Sequence, residues 1–351
     1  MISAVFDKSI IQKVFATIIG LLVAFQLSGL LLLIFDINPV STFISIFTKS
    51  LGTPRGIAQT FVTATPILLV AVGVELANRA SVINLGAEGQ IVAGAILAQI
   101  VAVNFYKLPV FIGIIAVLLA GVAGGAIYTI IPAFLKVKLE VNEIVVLIMS
   151  NQIISYIVAW LVRSPLKDPN SSNNQGALIN ERLWFPALFT NLDIHIGAII
   201  AIVVTVILYW VLKKTVFGYE VSVVGKSKKS AEYAGISKNK ILIITFLLSG
   251  AAAGLAGSIQ VLGVQHRLTS SISNGYGWSG IMVAMLAGKN PVALIAITIL
   301  YSALDVGNLI IQVTDKVPTQ LADVVQAIIV LSIIVVRNIY DKKKRAEGGN
   351  E

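Results

Sequence analysis

The sequence predicts an all-α integral membrane protein with about ten transmembrane helices, and three observations carry this prediction. The chain of 351 residues is 57% hydrophobic and only 12% charged, which leaves too few polar residues to cover a soluble globule of this size. The mean hydropathy is correspondingly high, at +0.90. The apolar residues are also grouped in blocks of about 17 to 25, the length that an α-helix needs to cross roughly 30 Å of hydrocarbon.

Ten apolar segments are assigned as crossings of a single membrane domain that covers residues 1–351. They are residues 14–35, 58–77, 91–105, 110–131, 141–162, 194–212, 241–263, 278–287, 292–311 and 321–336. The eighth is too short to span alone and is interrupted by polar residues 288–291, so we expect a hairpin or a broken helix with the ninth. The two longest polar stretches are an outer loop at 163–193, read as an extended surface linker rather than a docking site, and a cytoplasmic loop at 213–240.

The 26 lysine and arginine residues give a formal net charge of +9 and are divided unequally between the two sides of the predicted membrane. Eighteen fall on one side, namely Lys8, Lys13, Arg79, Lys136, Lys138, Lys213, Lys214, Lys226, Lys228, Lys229, Lys238, Lys240, Lys289, Arg337, Lys342, Lys343, Lys344 and Arg345. Because cations accumulate on the cytoplasmic side of membrane proteins, this side and both termini are predicted to be cytoplasmic. The basic charge therefore indicates membrane orientation, and we expect no nucleic-acid partner.

Two further features of the sequence bound the function. The first apolar run has no small-residue cleavage site, so it is predicted to be a retained helix rather than a signal peptide. The chain has no cysteine, which excludes disulfides, thiolate metal sites and cysteine nucleophiles.

The two halves of the chain are predicted to be inverted repeats of five crossings each, since an odd number of crossings reverses the second half. Each half has a glycine-rich polar turn before an apolar helix, at residues 82–94 and 273–287. Inversion would place the first turn at the cytoplasmic face and the second at the exterior. Chance likeness between glycine-rich membrane sequences is the alternative explanation.

The strongest local signal is a polar stretch from Asn84 to Gln90, set directly against an apolar run. It predicts either a solvated turn, in which glycines supply positive φ, or a helix interrupted at membrane depth whose amides line a solute path. Glu88 would cost about 3 kcal/mol in lipid unless it were paired or faced water. Arg79 is close enough in sequence to be its predicted partner.

Two crossings carry polar side chains on one face, for which the interior of the bundle is the favourable destination. In the fifth crossing these side chains are Asn151, Gln152, Ser155 and Tyr156, and in the ninth they are Ser302, Asp305, Asn308 and Gln312. Polar contacts between packed helices are the alternative to pore lining. We predict a translocation path for a neutral, hydrogen-bonding solute, formed by Asn84, Glu88, Gln90, Asn151, Ser155, Asp305 and Asn308. Small residues spaced four apart at 250–257 predict close helix packing.

The cytoplasmic loop contains Gly225-Lys226-Ser227, which looks like the end of a phosphate-binding loop. Glu220 stands where that motif requires glycine, so no ATP-hydrolysing site is predicted in this chain. The segment predicts instead a short helix over 228–234, with Ser227 as its N-cap and Gly235 as the residue that ends it. A helix shorter than about 12 residues is marginal alone, so we expect a cytoplasmic partner to order it.

Four segments together resemble the permease family of ATP-binding-cassette (ABC) importers for ribose, branched-chain amino acids and nucleosides. They are residues 80–90, 219–236, 249–257 and 275–281. Within that family, residues 84–90 and 141–145 with the long outer loop look most like the larger nucleoside permease subunit. One departure is a cytoplasmic loop unusually rich in lysine, at residues 226, 228 and 229.

The resemblance implies a multi-pass protein of the bacterial cell membrane that pairs with a second permease subunit, most simply as a heterodimer. It also implies a cytoplasmic ATPase and an extracytoplasmic substrate-binding lipoprotein as partners, with ATP and Mg²⁺ bound by the ATPase and no cofactor, metal or catalytic residue in this chain. The ATPase is expected to contact Ser227, Ser230, Ala231, Glu232, Tyr233, Ala234 and Gly235.

Other functions remain open at this point. A related permease could carry simple sugars or branched-chain amino acids. A different class is a stand-alone ion-coupled carrier, in which Glu88 and Asp305 would titrate. A membrane enzyme is disfavoured because the only histidines, His195 and His266, are expected in loops or at helix boundaries and no catalytic constellation is present.

Overall fold

The computed structural model describes residues 8–189, 192–288, 290–314 and 317–347. Within these ranges the chain forms thirteen α-helices and one short antiparallel hairpin. The elements are α1 (Lys8–Ile34), α2 (Pro39–Leu51), α3 (Pro54–Arg79), α4 (Ala87–Asn104), α5 (Val110–Lys138), α6 (Glu143–Leu161), β1 (Ala187–Phe189), β2 (Leu192–His195), α7 (Gly197–Lys214), α8 (Val216–Lys226), α9 (Lys228–Tyr233), α10 (Lys238–Gly263), α11 (Tyr276–Ala287), α12 (Pro291–Thr314) and α13 (Thr319–Glu347). Lys289 and the two chain ends, whose cytoplasmic position is predicted, lie outside the described residues.

The predicted multi-pass all-α class is confirmed. Eight of the described helices are long and apolar enough to span a membrane, and the pair α1–α2, bent by 117°, makes a ninth if it is counted as one span. All ten predicted crossings fall on helices. The eighth is α11, which has only 12 residues and is followed by Gly288 with φ +59°, so the predicted break before α12 is confirmed.

Helix α2 was not among the predicted crossings, because its 13 residues are too few to span a membrane. Its start has a local cause in the sequence. The Asn38 side chain accepts hydrogen bonds from the N–H groups of Val40 and Ser41 at 3.0 and 3.3 Å, and Pro39 occupies the first helical position.

Backbone contacts divide the chain into two compact units, residues 61–299 and the described parts of 1–60 with 300–351. In the larger unit, α4, α5 and α10 pack together at glycine residues. A Cβ built on Gly125 would lie 2.0 Å from the Gly250 carbonyl oxygen, and one built on Gly94 would lie 2.4 Å from the Gly254 Cα. Only glycine permits these backbone approaches, so the close packing predicted from the small residues of α10 is confirmed.

The smaller unit consists of α1, α2 and α13 with the adjoining ends of α3 and α12. Helix α1 packs along α13, and a Cβ on Gly20 would lie 2.9 Å from the Ile333 Cα. Near the middle of α12, the buried Asn308 amide donates a hydrogen bond to the Gln326 Oε1 of α13 at 2.9 Å. A single domain and inverted repeats remain predictions from the sequence.

The outer loop is more ordered than an extended linker, and that expectation was wrong. It contains a 3₁₀ turn at Glu181–Leu183 and the β1–β2 hairpin, and it is tied to the segment after α10. The N–H of Ile179 donates to the His266 carbonyl at 2.9 Å, and the N–H of Phe185 donates to the Leu262 carbonyl at 3.0 Å. Ile179 and Phe185 are themselves buried, so apolar contact as well as hydrogen bonding holds the loop.

His195, at the end of β2, is buried beneath this loop. Its Nδ1 accepts a hydrogen bond from the Gly197 N–H at 3.1 Å, so the ring proton resides on Nε2. Burial, with a smaller contribution from His266, lowers the pKa of His195 to about 4. The imidazole is therefore neutral at physiological pH and serves as part of the packing.

We expect Gly125→Ala to destabilise the packed helices α4, α5 and α10 of the larger unit, because the added methyl group would overlap the Gly250 carbonyl oxygen. Overpacking of this kind costs about 1–3 kcal/mol. The measurement is the Tm of the purified, detergent-solubilised protein. Gly113→Ala in the same helix is the matched control, since its Cβ would meet only the flexible end of Leu183. Equal Tm values for the two variants would contradict the close-packing argument.

Candidate functional site at the broken helix

The polar segment between α3 and α4 is organised by one buried side chain, Asn84. Its Nδ2 donates to Gln90 Oε1 at 3.0 Å and to Ser249 Oγ at 2.7 Å. Its Oδ1 accepts from the Gly86 N–H at 3.0 Å and from Gln90 Nε2 at 3.2 Å. The Asn84 amide therefore replaces the partners that backbone groups lose where the helix is interrupted.

A second amide, from α6, holds the other side of this segment. Asn151 Oδ1 accepts from the Gly89 N–H at 3.0 Å, and its Nδ2 donates to the Leu85 carbonyl at 2.8 Å. Gly89 has no room for a side chain, because a Cβ there would lie 2.7 Å from Asn151 Oδ1. Asn84, Gln90 and Asn151 are all buried, and their amides bond to protein groups. They position the first turn of α4.

Glu88 connects this turn to the start of α11. Its Oε2 accepts a hydrogen bond from the Gly277 N–H at 2.8 Å, and its Oε1 accepts one from the Gly275 N–H at 3.2 Å. The backbones touch, since a Cβ on Gly277 would lie 2.4 Å from the Glu88 Cα. A carboxylate in this position compensates the unpaired N–H groups and the positive dipole end of α11. We call this contact between Glu88 and residues 275–277 the Glu88 junction.

Two expectations from the sequence are corrected here. Arg79 does not pair with Glu88; its Nε donates instead to Glu75 Oε1 at 2.8 Å, one turn earlier in α3. The two glycine-rich turns were expected at opposite membrane faces, but they meet at the Glu88 junction. Glu88 can form this contact because the backbone N–H groups that start α11 satisfy its charge without a cation.

The chemistry available at the junction is hydrogen bonding. The half-buried Glu88 carboxylate and the N–H groups that begin α11 satisfy each other, so the junction is a set of hydrogen bonds between protein groups. No group of three or more His, Cys, Asp or Glu side chains arranged to hold a metal ion occurs in the described ranges of the chain.

Comparison with known proteins identifies the class. Residues 56–334 match the family described as branched-chain amino acid transport system, permease component. The chain belongs to this permease family. It is therefore a membrane subunit of a transport system.

Individual relatives cover nearly the whole permease. It is 31% identical to a nucleoside ABC transporter permease of Lactococcus lactis over 92% of this chain and 91% of that protein. It is 30% identical to a glucose ABC transporter permease of Haloferax volcanii, over 90% of this chain and 86% of that protein. A guanosine ABC transporter permease of Bacillus subtilis is 29% identical, over 95% of this chain and 97% of that protein.

The short helix predicted from Lys228 to Ala234 of the permease is present as α9. Ser227 caps α9, its Oγ accepting from the Ser230 N–H at 3.2 Å, and Gly235 adopts φ +72° just beyond the helix. The helix ends at Tyr233, one residue earlier than expected. Ala231 is fully buried in an apolar cluster with Phe246, whereas Tyr233 is 94% exposed. One side of α9 is thus anchored and the other is open.

Of the remaining residues predicted for this face, Glu232 forms an exposed ion pair with Lys238 at 2.5 Å. Ala234 follows the last helical residue as its C-cap, with φ −82°. Exposed ion pairs contribute little to stability, so the anchoring of α9 comes from Ala231.

A contact that the sequence did not predict links this region to the broken helix. Ser81 Oγ donates to the Gly225 carbonyl oxygen at 2.7 Å. A Cβ on Gly225 would lie 1.8 Å from the Arg79 carbonyl oxygen, so the end of α8 rests directly on the backbone that leads to Asn84. Ser81 itself adopts φ +56°, a conformation unusual for a residue other than glycine. The sequence feature that could have indicated this contact is Gly225, which belongs to the segment that looks like the end of a phosphate-binding loop.

Three predicted path residues lie away from the Glu88 junction or in the other unit. Ser155 is exposed on α6 and donates to the Asn151 carbonyl of its own helix at 2.8 Å. Asp305 is half-buried and Asn308 is buried, both in the smaller unit. The structure brings together Asn84, Glu88, Gln90 and Asn151 from the predicted set.

Sequence reasoning also missed Gln260 in α10. Its side chain is 1% exposed, and neither amide atom hydrogen-bonds to any residue in the described ranges. A buried amide without protein partners indicates a place where water or solute supplies them. Gln260 stands in an apolar helix without a polar neighbour in sequence, so it gave no pattern to detect.

We expect Glu88→Ala to release the start of α11, because two hydrogen bonds to a carboxylate are lost, each contributing about 1.5–3 kcal/mol. Amide hydrogen exchange at residues 275–279 of the assembled transporter should accelerate by at least about a hundredfold. Glu88→Gln, which keeps one acceptor oxygen, should give an intermediate rate. Glu181→Gln on the exposed outer loop is the control. Unchanged exchange in Glu88→Ala would disprove the role of the junction.

Proposed function

We propose that the permease is the pore-forming subunit of an ATP-driven importer of nucleosides. The Glu88 junction carries this proposal, because it joins two interrupted helices around hydrogen-bonding groups suited to a neutral polar solute. Nucleosides fit this chemistry, with a sugar rich in hydroxyls and a base with donors and acceptors. The names of the Lactococcus and Bacillus relatives support nucleosides as the solute class.

A second solute class is favoured by one observation. The Haloferax relative is named as a glucose permease and is as similar in identity as the nucleoside permeases, at 30%. Sugars offer the same hydroxyl chemistry as the ribose of a nucleoside. The two classes therefore differ in whether a base must also be accommodated.

The proposed machine has three further components. A cytoplasmic ATPase would bind ATP and Mg²⁺, since Glu220 breaks the phosphate-loop spacing in this chain. A substrate-binding lipoprotein would deliver solute from outside. A second permease subunit, making a heterodimer, would cover α6, which exposes Gln152 and Tyr156 on a span where lipid would offer their polar atoms no partner.

The proposed location is a bacterial cell membrane, with both termini in the cytoplasm. The division of lysine and arginine between the two sides supports this orientation. It also places α9, whose exposed Tyr233 faces away from the apolar cluster, on the side where an ATPase would dock. Ser227, Ser230, Ala231, Glu232, Tyr233, Ala234 and Gly235 are the proposed docking segment.

The proposed mechanism is alternating access driven through this segment. Movement of the ATPase would displace α9, and Gly225 at the end of α8 would carry that displacement to Ser81 and the backbone at Arg79. Only a few residues separate Ser81 from Glu88. Displacing this segment would loosen or tighten the Glu88 junction and so change access to the path.

The substrate test is uptake of a labelled nucleoside by cells that lack this subunit and by cells in which it is restored. We expect restored uptake that excess unlabelled nucleosides suppress and that glucose, ribose and branched-chain amino acids do not. If a sugar suppressed the uptake and unlabelled nucleosides did not, the permease would be assigned to the sugar importers instead. Uptake driven by an ion gradient in liposomes that contain only the permease would contradict an ATP-driven importer.

The coupling test compares the ratio of solute uptake to ATP hydrolysis in proteoliposomes that contain the complete transporter. Ser81→Ala removes one hydrogen bond and should lower that ratio by about fivefold. Tyr233→Ala and Gly235→Val should lower it further, with membrane insertion intact. Ser222→Ala is the matched control, because its hydroxyl bonds only within α8, to the Gly218 carbonyl at 2.9 Å. An unchanged ratio in all three variants would refute the coupling route.

A further inference from the structure

An open groove lies in the smaller unit, between the α2–α3 connection and the end of α12, remote in sequence from the Glu88 junction. Its volume is about 620 Å³. One wall comes from residues 49–59 and the other from residues 306–313. Neither wall belongs to the predicted docking segment or to the broken helix.

The wall from α12 is apolar and runs along the helix. Val306, Leu309 and Val313 lie on one helical face, three or four residues apart, and extend over roughly 10 Å of helix. Leu309 is 51% exposed and Val313 is 82% exposed. Apolar side chains this exposed on a membrane-spanning helix can be covered by hydrocarbon.

The opposite wall is polar and cationic. It contains Lys49 in the last turn of α2, Arg55 in the first turn of α3 and the Thr53 hydroxyl between them. Lys49 and Arg55 are also two of the eight cations that remain on the predicted outer side once the eighteen inner ones are subtracted from 26. Cations are scarce on that side, yet two of them line one groove.

The order of these groups along the membrane normal matches that of a lipid. Arg55 starts α3 and Val313 nearly ends α12, so the cationic wall and the most exposed apolar residue lie at the same end of the spanning helices. Leu309 and Val306 continue from there, one and two turns toward the middle of the span. An anionic head at Lys49 and Arg55 would therefore leave an acyl chain running inward along α12.

We propose that this groove is a binding site for an anionic phospholipid, whose phosphate contacts Lys49 and Arg55 and whose acyl chain lies along Leu309 and Val313. Charge complementarity selects the anionic head, and the apolar stripe selects a lipid over a free anion. A soluble acidic protein would match the cations but would not account for an apolar wall that continues into the depth of the span.

The experiment measures lipid retained by the complete transporter after extraction from nanodiscs of equal phosphatidylglycerol and phosphatidylcholine. We expect the native protein to retain phosphatidylglycerol preferentially. The double substitution Lys49→Gln, Arg55→Gln should weaken phosphatidylglycerol binding by about thirtyfold, since each cation near a membrane surface contributes a factor of about five. Val313→Ser should weaken retention of both lipids by loss of acyl contact.

The matched control is Lys107→Gln, Arg182→Gln, which removes the same charge from exposed residues of the predicted outer side that do not line the groove. It should retain lipid like the native protein, and gel filtration should show every variant assembled. Equal retention of the two lipids by the native protein would overturn the proposal. So would a double variant that keeps phosphatidylglycerol but loses binding of the substrate-binding lipoprotein in phosphatidylcholine nanodiscs, because the groove would then dock protein.

Discussion

The structure depends on one constraint, that backbone hydrogen-bonding groups exposed by a broken helix must find partners away from water. Residues 80–86 break the run between α3 and α4, and the amides of Asn84 and Asn151 occupy the freed groups. Glu88 does the same for the start of α11. Each partner comes from a different element, so satisfying the break also ties α4, α6, α10 and α11 to one place.

The larger unit contains both long, closely packed helices and short helices. Helices α4, α5 and α10 meet backbone to backbone through glycines such as Gly125 and Gly254, which fixes their close spacing. Helix α9 has six residues and α11 has twelve, so both are short elements beside this core. In the proposed mechanism, a motor acting on α9 would displace such short elements against the closely packed helices.

A contact of this fold could be predicted from the sequence when a characteristic side chain makes it, and could not be predicted when backbone groups make it. Polar residues against an apolar run indicated Asn84 and Glu88, and a serine–glycine pair indicated α9, because those residue types act locally. The partner of Glu88 could not be predicted, since Gly275 and Gly277 contribute only backbone N–H groups. The cation predicted as its partner, Arg79, forms an ion pair with Glu75. The Ser81–Gly225 contact spans 144 residues and has the same cause. The order of the outer loop arises likewise from backbone pairing with residues 262–268.

In the proposed mechanism the Glu88 junction acts as a gate, and the free energy of its hydrogen bonds suits that role. Two charge-assisted hydrogen bonds contribute roughly 3–6 kcal/mol, comparable to the ~5.5 kcal/mol that moves a two-state equilibrium from 1:99 to 99:1. A salt bridge to arginine would fix Glu88 with a group that a neutral solute cannot replace. Backbone N–H groups, in contrast, could be replaced by hydroxyl donors of a polar solute. In the proposed mechanism, opening without solute would cost the free energy of the two hydrogen bonds, and bound solute would offset part of that cost because its hydroxyl groups would donate to the same carboxylate.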